Sequence, residues 1–234
     1  MTVRVRTPAI VTDIEGTTGS IAFVRDVLFP YAHEHVADFV ARRGDEPEVR
    51  AVLRAAAHEA GEPDADDSRI IEILRGWMDD DRKATPLKTL QGLIWAEGYD
   101  AGALHGHVYP DAAAALRAWQ AAGIALYVYS SGSIAAQKLL FGKSSEGDLL
   151  ALFSGFFDTT IGMKTDPASY AAIAAAVGRE PAMLTFLSDR EAELDAAHAA
   201  GWSAIALLRP ADVPSGTVSK FPAVSSFAQI AAGS

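Results

Sequence analysis

The sequence predicts an α/β protein, a doubly wound parallel sheet with an all-helical domain inserted after its first strand. Three observations carry that prediction. From about residue 106 onward, apolar strand-like runs alternate with helical segments, the rhythm of a parallel sheet covered by helices on both faces. One more buried strand, residues 10–12, stands apart near the N-terminus. Between Gly16 and about His105 the patterning is helical, with no convincing strand.

Residues 10–12 are apolar and β-branched and run straight into Asp13, the pattern of a strand buried on both faces. From about residue 29 to 60, Tyr31, Val36, Phe39, Val40, Val49 and Leu53 recur at helical spacing, and "RRGDEPE" breaks the run as a turn. After the polar loop "EAGEPDADD", Ser68 is expected to cap the helix "RIIEILRGWMDDD". Thr85 with Pro86 opens "PLKTLQGLIWAEGY", expected to close near Gly98. In the second part, "DAAAALRAWQAAG" reads as a helix ending at Gly123 and "IALYVYS" as a strand. "SIAAQKLLF" is helical, "FFDTTIG" a short strand, and "DPASYAAIAAAVG" a helix with Pro in its first turn. "AMLTFLSD" is a strand, "REAELDAAHAAG" a helix and "WSAIALL" a strand. The tail "RPADVPSGTVSKFP" reads as a loop and "SSFAQIAAG" as a last short helix. The expected division is therefore a core of residues 1–17 and 106–234, and a helical insertion of residues 18–105.

Length and composition agree with this organisation. A chain of 234 residues suits one large domain or a core with an insertion. Lys+Arg total 20 against 30 Asp+Glu, a formal charge of -10, which disfavours general binding to nucleic acid. An anionic small molecule stays possible where a local cation or metal controls one pocket. The lack of Cys excludes a disulfide scaffold, a thiolate metal site and a thiol nucleophile. The N-terminal stretch lacks a signal-peptide pattern, and no run approaches the roughly 18 apolar residues a membrane span needs. The expectation is a cytoplasmic protein, monomeric, with no obligate protein partner.

In a doubly wound sheet the ligand site lies outside the carboxyl ends of the strands, so the residues just past each apolar run are informative. Asp13 and Glu15 come after the first strand. Ser130, Ser131 and Gly132 come after "IALYVY", Lys164 after "FFDTTIGM", and Asp189 after "AMLTFLS" with Glu193 one helical turn on. Taken singly, each is ordinary: a turn, an N-cap, a solvated charge. Jointly they supply acids, hydroxyls and one ammonium, the set that phosphoryl transfer to a carboxylate requires. An Asp attacks phosphorus, a second acid two residues on moves protons, and a Lys with Mg²⁺ offsets the charge of two anionic reactants.

These residues resemble the four motifs of the haloacid-dehalogenase-like hydrolases, matched in order by Asp13-x-Glu15, Ser130, Lys164 and Asp189. Most phosphatases of that superfamily carry Asp-x-Asp in the first motif. Asp-x-Glu within "DIEGTT", together with "YSSGSIAAQKLLFG", "FLSDREAELDAA" and "LQGLIWAEGY", resembles the enolase-phosphatases of methionine salvage. The resemblance implies enolisation of 2,3-diketo-5-methylthiopentyl-1-phosphate, then hydrolysis of the enol phosphate to acireductone and phosphate. It implies Asp13 as nucleophile and Mg²⁺ ligand, and Glu15 as acid/base with its backbone carbonyl facing the metal. Asp189 completes the metal site, Ser130 and Ser131 hold phosphate or substrate, and Lys164 pairs with the phosphoryl group. Glu193 acts behind these ligands. The enolisation base is either Glu15 or a residue of the helical insertion.

Lys88, Gln91 and Trp95 share one helical face; Trp95 is read as packing and Lys88 as a substrate contact in a cap that closes over the site. Residues 21–24, "IAFV", are either hinge packing or an apolar wall for the methylthio tail. The six His residues show no zinc-ligand spacing. Two other functions fit the same fold: a broad phosphatase that never enolises its substrate, and a silent phosphate-binding module. Tracking enol and phosphate separately discriminates the first, and turnover excludes the second.

Overall fold

The structure, a computed structural model, describes residues 2–212, 217 and 219–233. The loop expected at residues 209–222 therefore falls partly outside the described residues, at 213–216 and 218. Cα packing divides the chain into an α/β unit, Met1–Ala22 with His105–Ser234, and a helical unit, Phe23–Leu104.

In the α/β unit, β1 is Val3–Val5 and β2 is Ala9–Thr12. The chain then starts α1 (Ile21–Phe23), passes through a π-helical turn at Val24–Leu28, and forms α2 (Phe29–Arg43), α3 (Pro47–Glu59), α4 (Asp67–Asp79) and α5 (Thr85–Asp100). It returns through α6 (Pro110–Ala121), β3 (Ala125–Tyr129), α7 (Ile134–Gly142), β4 (Gly155–Phe157) and α8 (Pro167–Ala176). The last elements are β5 (Leu184–Ser188), α9 (Glu191–Ala199), β6 (Ser203–Leu207), β7 (Ala223–Val224) and β8 (Ile230–Ala232).

Six parallel strands lie in the order β4-β3-β2-β5-β6-β7. Chain order reverses at β2, which sits between β3 and β5, so the crevice beyond its carboxyl end is the switch point where such sheets hold ligands. Strand β2 is buried at every position because both of its faces are covered. On one face Ala9 and Val11 join Tyr129, Tyr170, Phe186 and Trp202 in a single core. Each fully buried large apolar side chain contributes about 1.5–3 kcal/mol relative to exposure.

In the helical unit, α2 buries Ala32, Val36, Phe39 and Val40, the i, i+4, i+7, i+8 stripe of an amphipathic helix. Helices α3 to α5 do the same through Leu53, Leu74 and Leu90, and all four stripes form one core. Trp95 stacks on Phe29 and donates its indole N–H to the Leu28 carbonyl at 2.8 Å, so it packs within this unit.

Several local expectations are corrected. The cap of α4 is Asp66, whose Oδ1 accepts the Arg69 N–H at 2.8 Å; Ser68 lies inside the helix. Both residue types cap well, and only the fold decides which one turns extended. The stretch 225–233 is not a helix. It is a 3₁₀ turn, Phe227–Gln229, followed by β8, which pairs in parallel with β1 in a second, two-stranded sheet. That pairing joins the two ends of the chain, a non-local contact that overrides helical propensity. Strand β4 ends at Phe157, so the rest of "FFDTTIG" is turn.

Candidate active site

Asp13 is the first residue beyond β2. Its N–H donates to the Leu187 carbonyl at 2.9 Å, tying it to β5. The loop after it folds back on itself: the N–H groups of Thr17 and Gly19 both donate to the Ile14 carbonyl, and the Thr18 hydroxyl donates to the Asp13 carbonyl at 3.1 Å. Gly16 turns this loop at φ +71, where side chains are strained. A Cβ there would lie 2.5 Å from Asp189 Oδ2, so the loop carrying Glu15 and the Asp189 carboxylate are in direct contact only because residue 16 has no side chain.

Lys164 comes from an irregular segment between β4 and α8. Three buried hydroxyls hold that segment: Tyr129 donates to the Gly162 carbonyl at 2.9 Å, Ser169 to Met163 at 2.8 Å and Tyr170 to Lys164 itself at 2.7 Å. Thus anchored, Lys164 Nζ stands 2.6 Å from Asp13 Oδ1 and 2.7 Å from Glu193 Oε2. Glu193, in the first turn of α9, also accepts the Ser188 hydroxyl at 2.9 Å. Lys164, Asp13 and Glu193 are all buried. A buried ion pair of this kind is weak evidence of stability but costs about 3–5 kcal/mol when one partner is removed.

Ser130, fully buried at the end of β3, directs its hydroxyl toward Glu15 Oε2 at 3.4 Å. Glu15 is half-buried and Ser131 exposed. The loop bearing both serines is held by Gln137, whose amide donates to the carbonyls of Gly132 and Phe157 at 2.7 and 2.9 Å, and by Asp158, which accepts the Ile134 N–H. The α/β unit thus gathers Asp13, Glu15, Ser130, Lys164, Asp189 and Glu193 beyond the carboxyl ends of the central strands. Lys88 lies in the helical unit, exposed on α5. Sequence reasoning missed Ser188, Gln137, Asp158 and Tyr170. Ser188 had a visible signal, directly preceding Asp189; the others act through backbone contacts that no spacing reveals.

The electrostatics follow from crowding. Burial pushes the Asp13 carboxyl well above the usual carboxylate range, Lys164 pulls it back, and Glu193 and Glu15 raise it again. Burial opposes the charge on Lys164 too, yet Asp13 and Glu193 together hold it above its ordinary value. The protonated Lys164 is the firmer of these two directions, because both carboxylates favour it, whereas Asp13 must share one cation with Glu193. Burial, then Glu193, raises Asp189 to about 6. The site holds more negative than positive charge.

Among the described residues no three His, Cys, Asp or Glu side chains converge as a metal cage. The donors nonetheless suit a hard divalent cation such as Mg²⁺, which takes one or two carboxylates and fills its remaining positions with waters and phosphate oxygens. Asp189 Oδ1 is buried without any hydrogen-bond partner, an orphaned acceptor that a cation would satisfy.

Comparison with known proteins gives the family. The family model for haloacid dehalogenase-like hydrolases matches residues 7–201. The chain is 58% identical over 222 residues to the enolase-phosphatase E1 of Azotobacter vinelandii, covering 95% of this chain and 96% of that one. It is also 58% identical to the enolase-phosphatase E1 of Pseudomonas aeruginosa, covering 95% and 97%. Among solved structures it is similar to the Unknown transcript 4 protein of Saccharomyces cerevisiae, with a TM-score of 0.82 and 31% identity over 95% of this chain and 99% of that one.

Proposed function

Because the chain belongs to the haloacid dehalogenase-like hydrolases and, within them, to the enolase-phosphatases, we propose how its own residues carry out that two-stage reaction. The enzyme enolises 2,3-diketo-5-methylthiopentyl-1-phosphate and hydrolyses the enol phosphate to acireductone and phosphate. The single observation that carries the assignment of roles is Lys164 Nζ, buried between Asp13 Oδ1 at 2.6 Å and Glu193 Oε2 at 2.7 Å.

Asp13 is the nucleophile. Its carboxylate attacks phosphorus, the phosphorus–oxygen bond to the enol breaks, and an aspartyl-phosphate forms. Glu15 donates the proton that the leaving oxygen needs and then takes one from the water that cleaves the acyl phosphate, returning Asp13 as a carboxylate. Lys164 faces a phosphoryl oxygen, with Glu193 fixing its ammonium from behind. Ser130 and Ser131 donate to the remaining phosphoryl oxygens. The carboxylates of Asp13 and Asp189 and the backbone carbonyl of Glu15 would hold Mg²⁺. When bound, Mg²⁺ offsets the charge between the attacking carboxylate and the phosphate and stabilises a developing enolate. The proton next to the carbonyl is removed by Glu15 or by a residue of the helical unit. The enzyme works in the cytoplasm, as a monomer without an obligate protein partner.

Phosphate release from the diketone phosphate, measured with Mg²⁺ and with a chelator, tests the assignment. The expected result is turnover only with Mg²⁺, abolished in Asp13→Asn. Equal rates with chelator, or full activity in Asp13→Asn, overturn it.

A further inference from the structure

We infer that Arg209 is a positioning residue for this reaction, clamping the loop that carries Asp13 and Glu15. The inference rests on the function proposed above. Arg209 lies two residues beyond β6, remote in sequence from every motif, and is only 4% exposed. Its Nε–H donates to the Thr17 carbonyl at 3.0 Å, and Nη1 donates to both oxygens of Asp111 at 3.0 and 2.8 Å. The guanidinium lies over the rings of Tyr109 and Phe227, at 4.2 and 5.2 Å.

Each of these partners is itself held. Asp111 accepts the Ser226 hydroxyl at 2.6 Å and the Phe227 N–H at 2.7 Å, so its carboxylate is already fixed when it meets Arg209. Tyr109 donates its backbone N–H to the Thr18 carbonyl at 2.8 Å, next to the bond that Arg209 makes. Thr17 is two residues beyond Glu15 and one beyond the Gly16 turn that touches Asp189. The clamp therefore acts where the first motif must keep its shape.

A stabilising role alone does not account for this arrangement. Arg209 Nη2 is buried without a hydrogen-bond partner, a penalty that an apolar side chain in the same place would avoid. The planar fork does what a point charge cannot: it reaches a neutralising carboxylate and a backbone carbonyl of the catalytic loop at once. Arg209 touches no reacting atom. Loosening it shifts Glu15 relative to phosphorus, and a displacement near 1 Å is worth about 100-fold in rate. Ser130 and Lys164 stand on other segments, so phosphate affinity is untouched.

The decisive experiment compares Arg209→Lys and Asp111→Asn with the unaltered enzyme at a temperature well below each variant's melting point. Rates are normalised to folded protein measured by circular dichroism. In Arg209→Lys, kcat is expected to fall about 10- to 100-fold, while KM and inhibition by inorganic phosphate stay within about twofold. Asp111→Asn keeps the Ser226 and Phe227 contacts and is expected to lower kcat in the same manner but less. An unchanged kcat per folded molecule in Arg209→Lys, or a parallel loss of phosphate affinity, overturns the inference. Running the same series on p-nitrophenyl phosphate keeps the two readings apart. Failure of the diketone phosphate with a normal Arg209 effect on the simple ester refutes the substrate, not the clamp.

Discussion

Replacing Asp189 with Asn should stabilise the metal-free protein at neutral pH while weakening its response to Mg²⁺. The Asp189 carboxyl rises from an ordinary 3.8 to about 6, first through burial and then through Glu193. The folded chain therefore holds a proton there that the unfolded chain has already released. Stability falls as pH rises between those two values and stays low above them. At about 1.4 kcal/mol per tenfold change, the full effect is ~3 kcal/mol. Asp189 is half-buried, so solvent screening reduces this to about 1–2 kcal/mol. A chain of this size gains about 2–4 °C per kcal/mol, which places the Asn variant about 2–8 °C above the parent in chelator at pH 7.5. The gain should shrink to a small fraction by pH 4 and vanish below about pH 3, where the parent carboxyl is protonated in both states. Mg²⁺ should raise the parent's melting temperature by mass action and the variant's by much less. Thermal melts at pH 4 and 7.5, each with chelator and with Mg²⁺, read all four values. An Asn variant no more stable than the parent in chelator at pH 7.5, or one with an undiminished Mg²⁺ response, refutes the reasoning.

Lys164→Met leaves Asp13 and Glu193 buried without their shared cation. It should cost about 3–5 kcal/mol of unfolding free energy in urea titrations and about 10²- to 10³-fold in kcat. Since Lys164 is held above its ordinary pKa, its own contribution is fully present at neutral pH and is lost only as pH rises through that raised value; without it the Asp13 carboxyl is raised further, so the deficit read by melts should grow from pH 6 to 9. Glu15→Gln should slow phosphate release about 10²- to 10⁴-fold; a rate within about threefold of the parent contradicts the acid/base role, and ultraviolet detection of the enol shows whether enolisation stops with it. Gly16→Ala puts a Cβ 2.5 Å from Asp189 Oδ2 at a φ of +71, and the Mg²⁺ concentration for half-maximal activity should rise on the order of tenfold; an unchanged requirement means that the loop does not set the Asp189 position.

The chemistry was legible in the sequence because it is written at strand ends. Strands β2, β3 and β5 are short apolar runs with a distinct last residue, and Asp13, Ser130 and Asp189 each occupy the next position or close to it. The α/β class came from the same periodicity, and the resemblance carried by Glu15 together with "YSSGSIAAQKLLFG", "FLSDREAELDAA" and "LQGLIWAEGY" narrowed a very large superfamily to one pair of steps. What the sequence could not show is non-local. Val3–Val5 and Ile230–Ala232 form a sheet only because the chain's two ends meet, and neither run is long enough to announce itself. Lys164 comes after a turn, not a strand, and reaches Asp13 because Tyr129, Ser169 and Tyr170 hold its backbone from within the core. Arg209 is invisible to motif and period alike. Residue type and spacing determine which chemical groups arrive at the carboxyl ends of the strands. Packing between segments far apart in the chain decides which of them touch, and in a medium of low dielectric those contacts set the charge on Asp13, Lys164 and Asp189.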